Sequence, residues 1–223
     1  MTAYQVLRQR AEEAWRLWQA PSRPLIKVGI ATCSRAKGAD DVLAALRQEV
    51  AKRHLEADVV VTGCLGLCFA EPLVEVHKPN GSRTLYGEMT IDKAVQLVGA
   101  HGDAPLPPLA VADSPAAVGL PRLAEMPFFA VQERRLMANC GLIDPENIDH
   151  YIARGGYEGL AKALTMAPEE VIKEAIDSGL WGRGGAAFPT GRKWEFLRAA
   201  RGEPKYLLCN ADEGDPGSFV NRN

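Results

Sequence analysis

Three of the five cysteines in this sequence lie in its first third: Cys33, and the pair in Cys64-Leu-Gly-Leu-Cys68. The chain opens on a charged segment where a secretory signal would need an apolar core, so clustered thiols point to metal or redox chemistry before disulfides. Thiolates converging from separate loops are what an iron–sulfur cluster requires, which makes Cys33, Cys64 and Cys68 candidate ligands. A [2Fe–2S] cluster needs a fourth ligand, and the run after Cys33 offers only Ser34 or a more distant residue. His54 falls on a helix and His77 inside a strand. Zinc would face the same open position with C-x3-C and one distant cysteine. The alternative is that the three are small, partly buried residues in loops of a fold that once held metal. Nothing local favours simple thiol oxidation. Cys140 and Cys209 stand isolated and read as core thiols.

The second chemical segment is Gly179-Leu-Trp-Gly182-Arg183-Gly184-Gly185-Ala-Ala-Phe188-Pro-Thr-Gly191-Arg192-Lys193-Trp194. Five glycines in 13 positions remove Cβ atoms where backbone must come close to something, and the freed amides can point at phosphate oxygens. A helix predicted to follow, from Gly191 to about Ala200, adds its positive end, and Arg183, Arg192 and Lys193 add charge. The segment is not a Walker A loop, since Arg192-Lys193 stands where Lys-Ser/Thr belongs. Nor is it a dinucleotide fingerprint, because no strand directly precedes it and the glycine spacing differs. About 20 residues on, Asn210-Ala-Asp212-Glu213-Gly-Asp215-Pro-Gly places three carboxylates and an amide after an apolar run, Lys205 to Cys209, predicted as a strand. Polar groups at the carboxyl end of a strand can bond ribose or ribityl hydroxyls or a heterocycle edge. Each segment alone reads as a structural loop or a solvated turn; together they favour a nucleotide site.

Elements must carry these residues. Of 223 residues, 47% are apolar and 24% charged, which excludes disordered, collagenous and coiled-coil chains. A net charge of −2 provides no field to recruit nucleic acid or an anionic membrane, and no run approaches a membrane span. The chain reads as soluble and cytoplasmic. Residues 2–19 have helical spacing that stops at Pro21, and residues 1–24 form an amphipathic leader. Residues 25–101 read as strand (25–32), helix (40–55), strand (57–62), a hairpin around Asn80-Gly81 and a last helix from about Ile91 to Gly99. This is an α/β sandwich of thioredoxin-like type. Five prolines make 102–124 a linker. From 125 on, short helices are predicted around Ala130–Asn139, from Asp144-Pro145-Glu146, around Tyr157–Leu164 and over Pro168–Asp177.

The run Gly-Leu-Trp-Gly-Arg-Gly-Gly-Ala-Ala-Phe-Pro-Thr-Gly-Arg-Lys-Trp, followed by Tyr-Leu-Leu-Cys-Asn-Ala-Asp-Glu-Gly-Asp-Pro-Gly-Ser-Phe, closely resembles the family of NADH-binding FMN flavoprotein subunits. That family takes in the NADH-oxidising subunit of respiratory complex I, the diaphorase subunit of NAD-linked hydrogenases and the β subunit of NAD-dependent formate dehydrogenase. Pro127-Phe-Phe, Asn139-Cys-Gly-Leu-Ile-Asp-Pro and Tyr151-Ile-Ala-Arg-Gly-Gly-Tyr157 resemble its lead-in helices, and the first block its thioredoxin-like ferredoxin domain. The implied fold is α/β: a thioredoxin-like N-terminal domain, a helical lead-in, then the start of a flavin/NADH-binding domain over 125–223. The resemblance implies FMN on Gly182, Arg183, Gly184 and Lys193, with Asn210, Asp212 and Glu213 around its ribityl chain and ring. It implies NADH over the flavin, Gly185 allowing the approach, Phe188 and Phe196 holding the adenine and Asp215 near the nicotinamide.

The implied chemistry is hydride transfer between NAD(H) and FMN, then single electrons to iron–sulfur clusters on partner redox subunits, a ferredoxin-like small subunit and a catalytic subunit. Neither nucleic acid nor membrane insertion is expected. Two departures matter. One of four cluster cysteines is missing in the first domain, and the chain stops before the family's later domains, where the [4Fe–4S] cluster is expected. It therefore resembles an N-terminal portion of a longer subunit, not expected to hold FMN well alone. The competing reading is a flavin-free scaffold that docks neighbouring subunits through Trp15, Trp18 and the proline linker.

Overall fold

A computed structural model of the chain describes residues 2–100, 106–111, 122–183 and 185–208. The first helix, α1, spans Ala3–Gln19; Thr2 caps it by accepting from the Gln5 amide at 3.3 Å while Gln5 Oε1 accepts from the Thr2 amide at 2.7 Å. Such reciprocal capping satisfies two amides that would otherwise have no partner. Strand β1 (Leu25–Gly29) leads into a short α2 (Thr32–Ala36) and then α3 (Ala39–Lys52), which has Asp40 and Asp41 in its first turn and Lys52 in its last, opposite to the helix dipole's sign at each end. The crossover returns the chain to β2 (Asp58–Thr62), parallel to β1, with Ile26 opposite Val59.

Strands β3 (Val74–His77) and β4 (Arg83–Tyr86) form an antiparallel hairpin, and β3 lies antiparallel to β1. Gly81 takes φ +82° in the turn, and Asn80 Oδ1 accepts from the Ser82 amide at 2.9 Å. Helix α4 (Ile91–Gly99), capped by Thr90, closes the unit. A two-residue strand, β5 (Ala110–Val111), pairs with β4, giving the order β2-β1-β3-β4-β5. A parallel β-α-β pair beside an antiparallel hairpin and a final helix is thioredoxin-like topology. Part of the proline-rich stretch is thus an edge strand, where a proline-flanked segment is tolerated because only one side is paired.

All five residues of β1 are buried, so both faces of the sheet are covered. One face is apolar: Ile26, Val28, Val74, Val76 and Tyr86 pack against Val42 and Leu46 of α3 and Ala94, Leu97 and Val98 of α4. At about 1.5–3 kcal/mol per large buried side chain, this layer is the main stabilising term. The other face carries Lys27, Glu75, His77 and Arg83, and it is roofed by α1 and by residues of the following segment. Lys27 Nζ lies 4.7 Å from the Trp18 ring, whose Nε1 donates to the Leu142 carbonyl at 2.9 Å.

Beyond residue 122 come α5 (Pro127–Ala130), α6 (Ile148–Ala153), α7 (Glu158–Ala163), α8 (Pro168–Asp177) and α9 (Thr190–Ala199). Helix α6 packs on α1: His150 sits between Trp15 and Trp18, with ring centroids at 5.6 and 4.4 Å, and Arg10 pairs with Asp149 at 2.6 Å. The helix predicted around Ala130–Asn139 is not formed; after α5 the chain runs in turns to Asn147. Tertiary contacts override the periodicity there, since Arg134 stacks on Phe129 at 5.2 Å and Gly141 lies against Leu65. Asp144-Pro145 makes an Asx turn, its Oδ1 accepting from the Glu146 amide, and α6 starts later, from Asn147. Residues 205–208 form no strand, because no described strand lies alongside to pair with them, and Leu207 and Leu208 are exposed. Among the described residues no helix is long and apolar enough to cross a membrane.

Candidate functional site

The parallel pair β1 and β2 ends at one edge of the sheet, and both cysteine loops leave from that edge. Cys33 is the second residue of α2, Cys64 follows β2 by two residues, and Cys68 opens a short 3-10 turn, Cys68–Ala70. The three Sγ atoms lie within 4.8 Å of one another. Gly66, at φ +96°, turns the loop between the last two, and its amide donates to Cys64 Sγ at 3.2 Å. Lys37 Nζ fixes the loop's far end by donating to the carbonyls of Cys68 and Phe69 at 3.2 and 3.1 Å. Phe128 of α5 touches Phe69 edge-on at 6.3 Å, so the lead-in packs directly on the cysteine loop. Cys140 is half-buried outside this group, and Cys209 lies outside the described residues.

Burial pushes the Cys64 thiol up to about 12, helped by the charges of Cys33, Cys68 and Glu71 and opposed by the Gly66 amide. Cys33 is raised too, chiefly by burial. Raised thiols are poor nucleophiles and poor redox sensors, which argues against simple oxidation chemistry. A cation reverses the balance, because it deprotonates the thiols it binds. The donor set therefore fits a thiolate-bound metal or cluster.

Ser34, raised from the sequence as a substitute ligand, is already engaged: its Oγ accepts from the Ala31 amide at 2.7 Å and donates to the Ala31 carbonyl at 3.0 Å. His77 stands opposite Leu25 at the far end of β1, and His54 follows α3 in an exposed turn. A residue the sequence did not mark is Glu71. It is 2% exposed; its Oε2 accepts from the Leu73 amide at 2.9 Å, and its Oε1 has no hydrogen-bond partner among the described residues. An acidic residue before a proline reads as a turn, and only tertiary packing buries it.

The glycine loop is closed at its neck by a bridge between Trp181 and Pro189, with the Gly182 amide donating to the Phe188 carbonyl at 2.8 Å. Gly185 has φ +94° and open space where a Cβ would stand, and α9 begins directly after the loop. Arg192 pairs with Glu195 at 2.5 Å, Arg198 with Glu169 at 2.9 Å and Lys205 with Glu203 at 3.7 Å. Arg183 and Lys193 are exposed and have no carboxylate partner among the described residues. Phe188 and Phe196 approach at 6.2 Å, both partly exposed. Two uncommitted cations beside backbone that leaves room for a neighbour fit a phosphate group. Gly191 works differently: a Cβ there would stand 2.5 Å from the Ile176 amide nitrogen, so this glycine lets α9 press against α8. Gly184, Asn210, Asp212, Glu213 and Asp215 lie outside the described residues.

Residues 175–223 match the Nuo51 FMN-binding domain. The chain is 58% identical over 91 residues to the NADP-reducing hydrogenase subunit HndC of Solidesulfovibrio fructosivorans, covering 41% of this chain and 18% of that protein. It is 50% identical over 88 residues to an NADH-quinone oxidoreductase subunit of Rhizobium meliloti, covering 39% and 21%. Against the NAD-reducing hydrogenase HoxS subunit alpha of Cupriavidus necator it is 32% identical over 196 residues, covering 85% and 30%. The chain thus spans about a fifth of the length of the first two relatives. Among solved structures, a thioredoxin-like [2Fe–2S] ferredoxin from Aquifex aeolicus matches 37% of this chain and 90% of its own at 19% identity and TM-score 0.31. A chain of an NAD+-reducing [NiFe]-hydrogenase matches 98% and 38% at 21% identity and TM-score 0.33. Residues 175–223 thus carry the match to the FMN-binding domain, and the chain as a whole is similar to part of each of these NAD(P)(H)-linked redox subunits.

Proposed function

We propose that the chain is part of the electron-entry subunit of a cytoplasmic, multisubunit redox complex, binding NAD(H) and FMN in its second half and a [2Fe–2S] cluster on Cys33, Cys64 and Cys68 in its first. The observation that carries this reading is the pair of uncommitted cations, Arg183 and Lys193, flanking the glycine loop inside the segment that matches the FMN-binding domain. FMN held there would supply two-electron hydride chemistry toward the nicotinamide and one-electron chemistry toward clusters. Arg183 and Lys193 neutralise the phosphate, and Gly182, Gly184 and Gly185 let backbone and rings come close. Phe188 and Phe196 offer faces to the adenine. Asn210, Asp212 and Glu213, which the resemblance assigns to the ribityl chain and ring, and Asp215, which it assigns to the nicotinamide, would complete the site. The thioredoxin-like unit, residues 25–101, serves as an electron relay toward partner subunits that carry their own clusters.

Protein purified from the complete reading frame is expected to be yellow and to bleach with NADH. Arg183→Ala and Lys193→Ala are each expected to weaken FMN binding by about 10-fold or more, the loss of one charge-assisted hydrogen bond. Colourless protein that takes up no FMN, or variants that bind FMN as tightly as the parent, would remove the proposal.

A further inference from the structure

We propose that the carboxylate of Glu71 is the fourth ligand of the cluster held by Cys33, Cys64 and Cys68. The inference rests on the reading of that trio as a [2Fe–2S] site and names the donor the cysteine count leaves missing.

Position is the first argument. A Cβ built on Gly29, the last residue of β1, would stand 3.9 Å from Glu71 Oε2, so the carboxylate lies at the strand end from which the Cys33 loop departs. Its charge reaches both Cys33 and Cys64. The second argument is the orphaned oxygen. Oε1 of a side chain 2% exposed has no hydrogen-bond partner among the described residues, while Oε2 is held by the Leu73 amide. Leaving a buried carboxylate oxygen without a partner is unfavourable, and a metal ion beside the thiols removes that penalty. The Leu73 amide sets the orientation of the carboxylate and leaves the free oxygen for iron, as hydrogen bonds to ligating carboxylates do.

Charge is the third argument. A carboxylate bound to iron is a monoanionic donor as a thiolate is, so three thiolates with one carboxylate carry the same total charge as four thiolates. Serine would have to lose a far less acidic proton, and the Ser34 hydroxyl is already committed to Ala31. His77 lies at the opposite end of the strand. Burial raises the Glu71 carboxyl, opposed by the Leu73 amide and by Lys37, whose Nζ is tied to the Cys68 loop and supplies a cation beside the site.

The test uses the whole 223-residue chain, expressed with ample iron and reconstituted anaerobically with ferrous iron and sulfide. Iron, sulfide and zinc are quantified, and Mössbauer spectra are recorded on the oxidised protein. The expected parent holds about two irons and two sulfides with two unequal ferric doublets, since one iron bears an oxygen donor. Glu71→Cys is expected to keep the iron content and bring the doublets together. Glu71→Gln, which retains an acceptor for the Leu73 amide, is expected to lose iron several-fold with an unchanged far-UV circular dichroism spectrum. A cluster with the parent's doublets in Glu71→Gln overturns the proposal. So does an empty parent beside a filled Glu71→Cys, though that result leaves the cluster reading standing. If neither fills, or if zinc binds without sulfide, the cluster reading fails and the proposal with it. Should Glu71→Gln fail to fold, the doublets of the parent and Glu71→Cys decide.

Discussion

The polar face of the sheet makes a quantitative prediction. Glu75 is gripped from two sides: Arg83 donates through Nε and Nη2 at 3.0 and 2.9 Å, and Lys27 Nζ lies 3.2 Å from Oε1. Lys27 is 4% exposed and Glu75 11%. Burial pushes the Glu75 carboxyl up, but the two cations outweigh it and hold it below the usual carboxylate range. Lys27 has one anion to set against burial and the repulsion of Arg83, and its ammonium is held below its usual value, chiefly by burial. The network is therefore asymmetric. Glu75→Gln leaves the buried Lys27 ammonium without its anion and takes the two-pronged carboxylate from half-buried Arg83, and removing one partner of a buried pair costs about 3–5 kcal/mol; because glutamine keeps one acceptor, about 3 kcal/mol is expected. Lys27→Met leaves the Arg83–Glu75 pair intact, relieves a desolvated ammonium and still places a chain against the Trp18 ring, so its cost stays below about 1 kcal/mol. At about 2–4 °C per kcal/mol for a chain of this size, Glu75→Gln should melt roughly 6–12 °C lower and Lys27→Met within about 4 °C of the parent. Thermal and urea unfolding followed by far-UV circular dichroism at pH 7 and low salt measure both. Equal losses for the two variants, or less than about 1 kcal/mol for Glu75→Gln, would refute the asymmetry. The sign with pH follows: the stability from ionised Glu75 is complete above about pH 4.3 and is lost as pH falls through its lower folded value, a loss Glu75→Gln should lack.

His77, 4% exposed, is held down to about 4 by burial first and then by Lys27 and Arg83. The unfolded chain binds a proton below about pH 6.5 that the folded state refuses, so stability should fall by up to about 3 kcal/mol between pH 6.5 and about 4. Urea titrations of His77→Gln across that range should show a shallower decline, and an identical slope would contradict the assignment. At Gly191, a methyl group would meet the Ile176 backbone nitrogen and Cα at 2.5 and 2.7 Å, and backbone cannot give way as a side chain can. Gly191→Ala should therefore cost about 1–3 kcal/mol by forcing α8 and α9 apart, read as faster proteolysis across residues 168–199; unchanged cleavage would count against it.

The elements that carry their own boundary signals were legible. Apolar spacing that stops at Pro21 announces α1, Asn80-Gly81 announces the hairpin, and Pro168 stands at the first position of α8. The convergence of Cys33, Cys64 and Cys68 was legible as well, because a parallel β-α-β unit sends consecutive strand ends to one edge. The segment after α5 was not. Its helical spacing yields to contacts from far along the chain, with Arg154 donating to Asn139 Oδ1 at 3.0 Å and Gly141 fitted against Leu65. Gly191 was counted with the phosphate loop, yet its closest neighbour is a helix backbone, which no spacing rule distinguishes from a ligand.

By itself the sequence determined the thioredoxin-like unit, the cysteine trio and the cationic glycine loop, since each is a local pattern: periodicity, caps, turn residues and short spacings act within a few residues. Tertiary structure alone decided that Trp15 and Trp18 are spent on His150 inside the chain, that Lys27, Glu75 and Arg83 share one network, and that the Ser34 hydroxyl is committed while one oxygen of Glu71 has no partner among the described residues. Burial and hydrogen-bond satisfaction are properties of what packs around a side chain, and those neighbours come from distant parts of the chain.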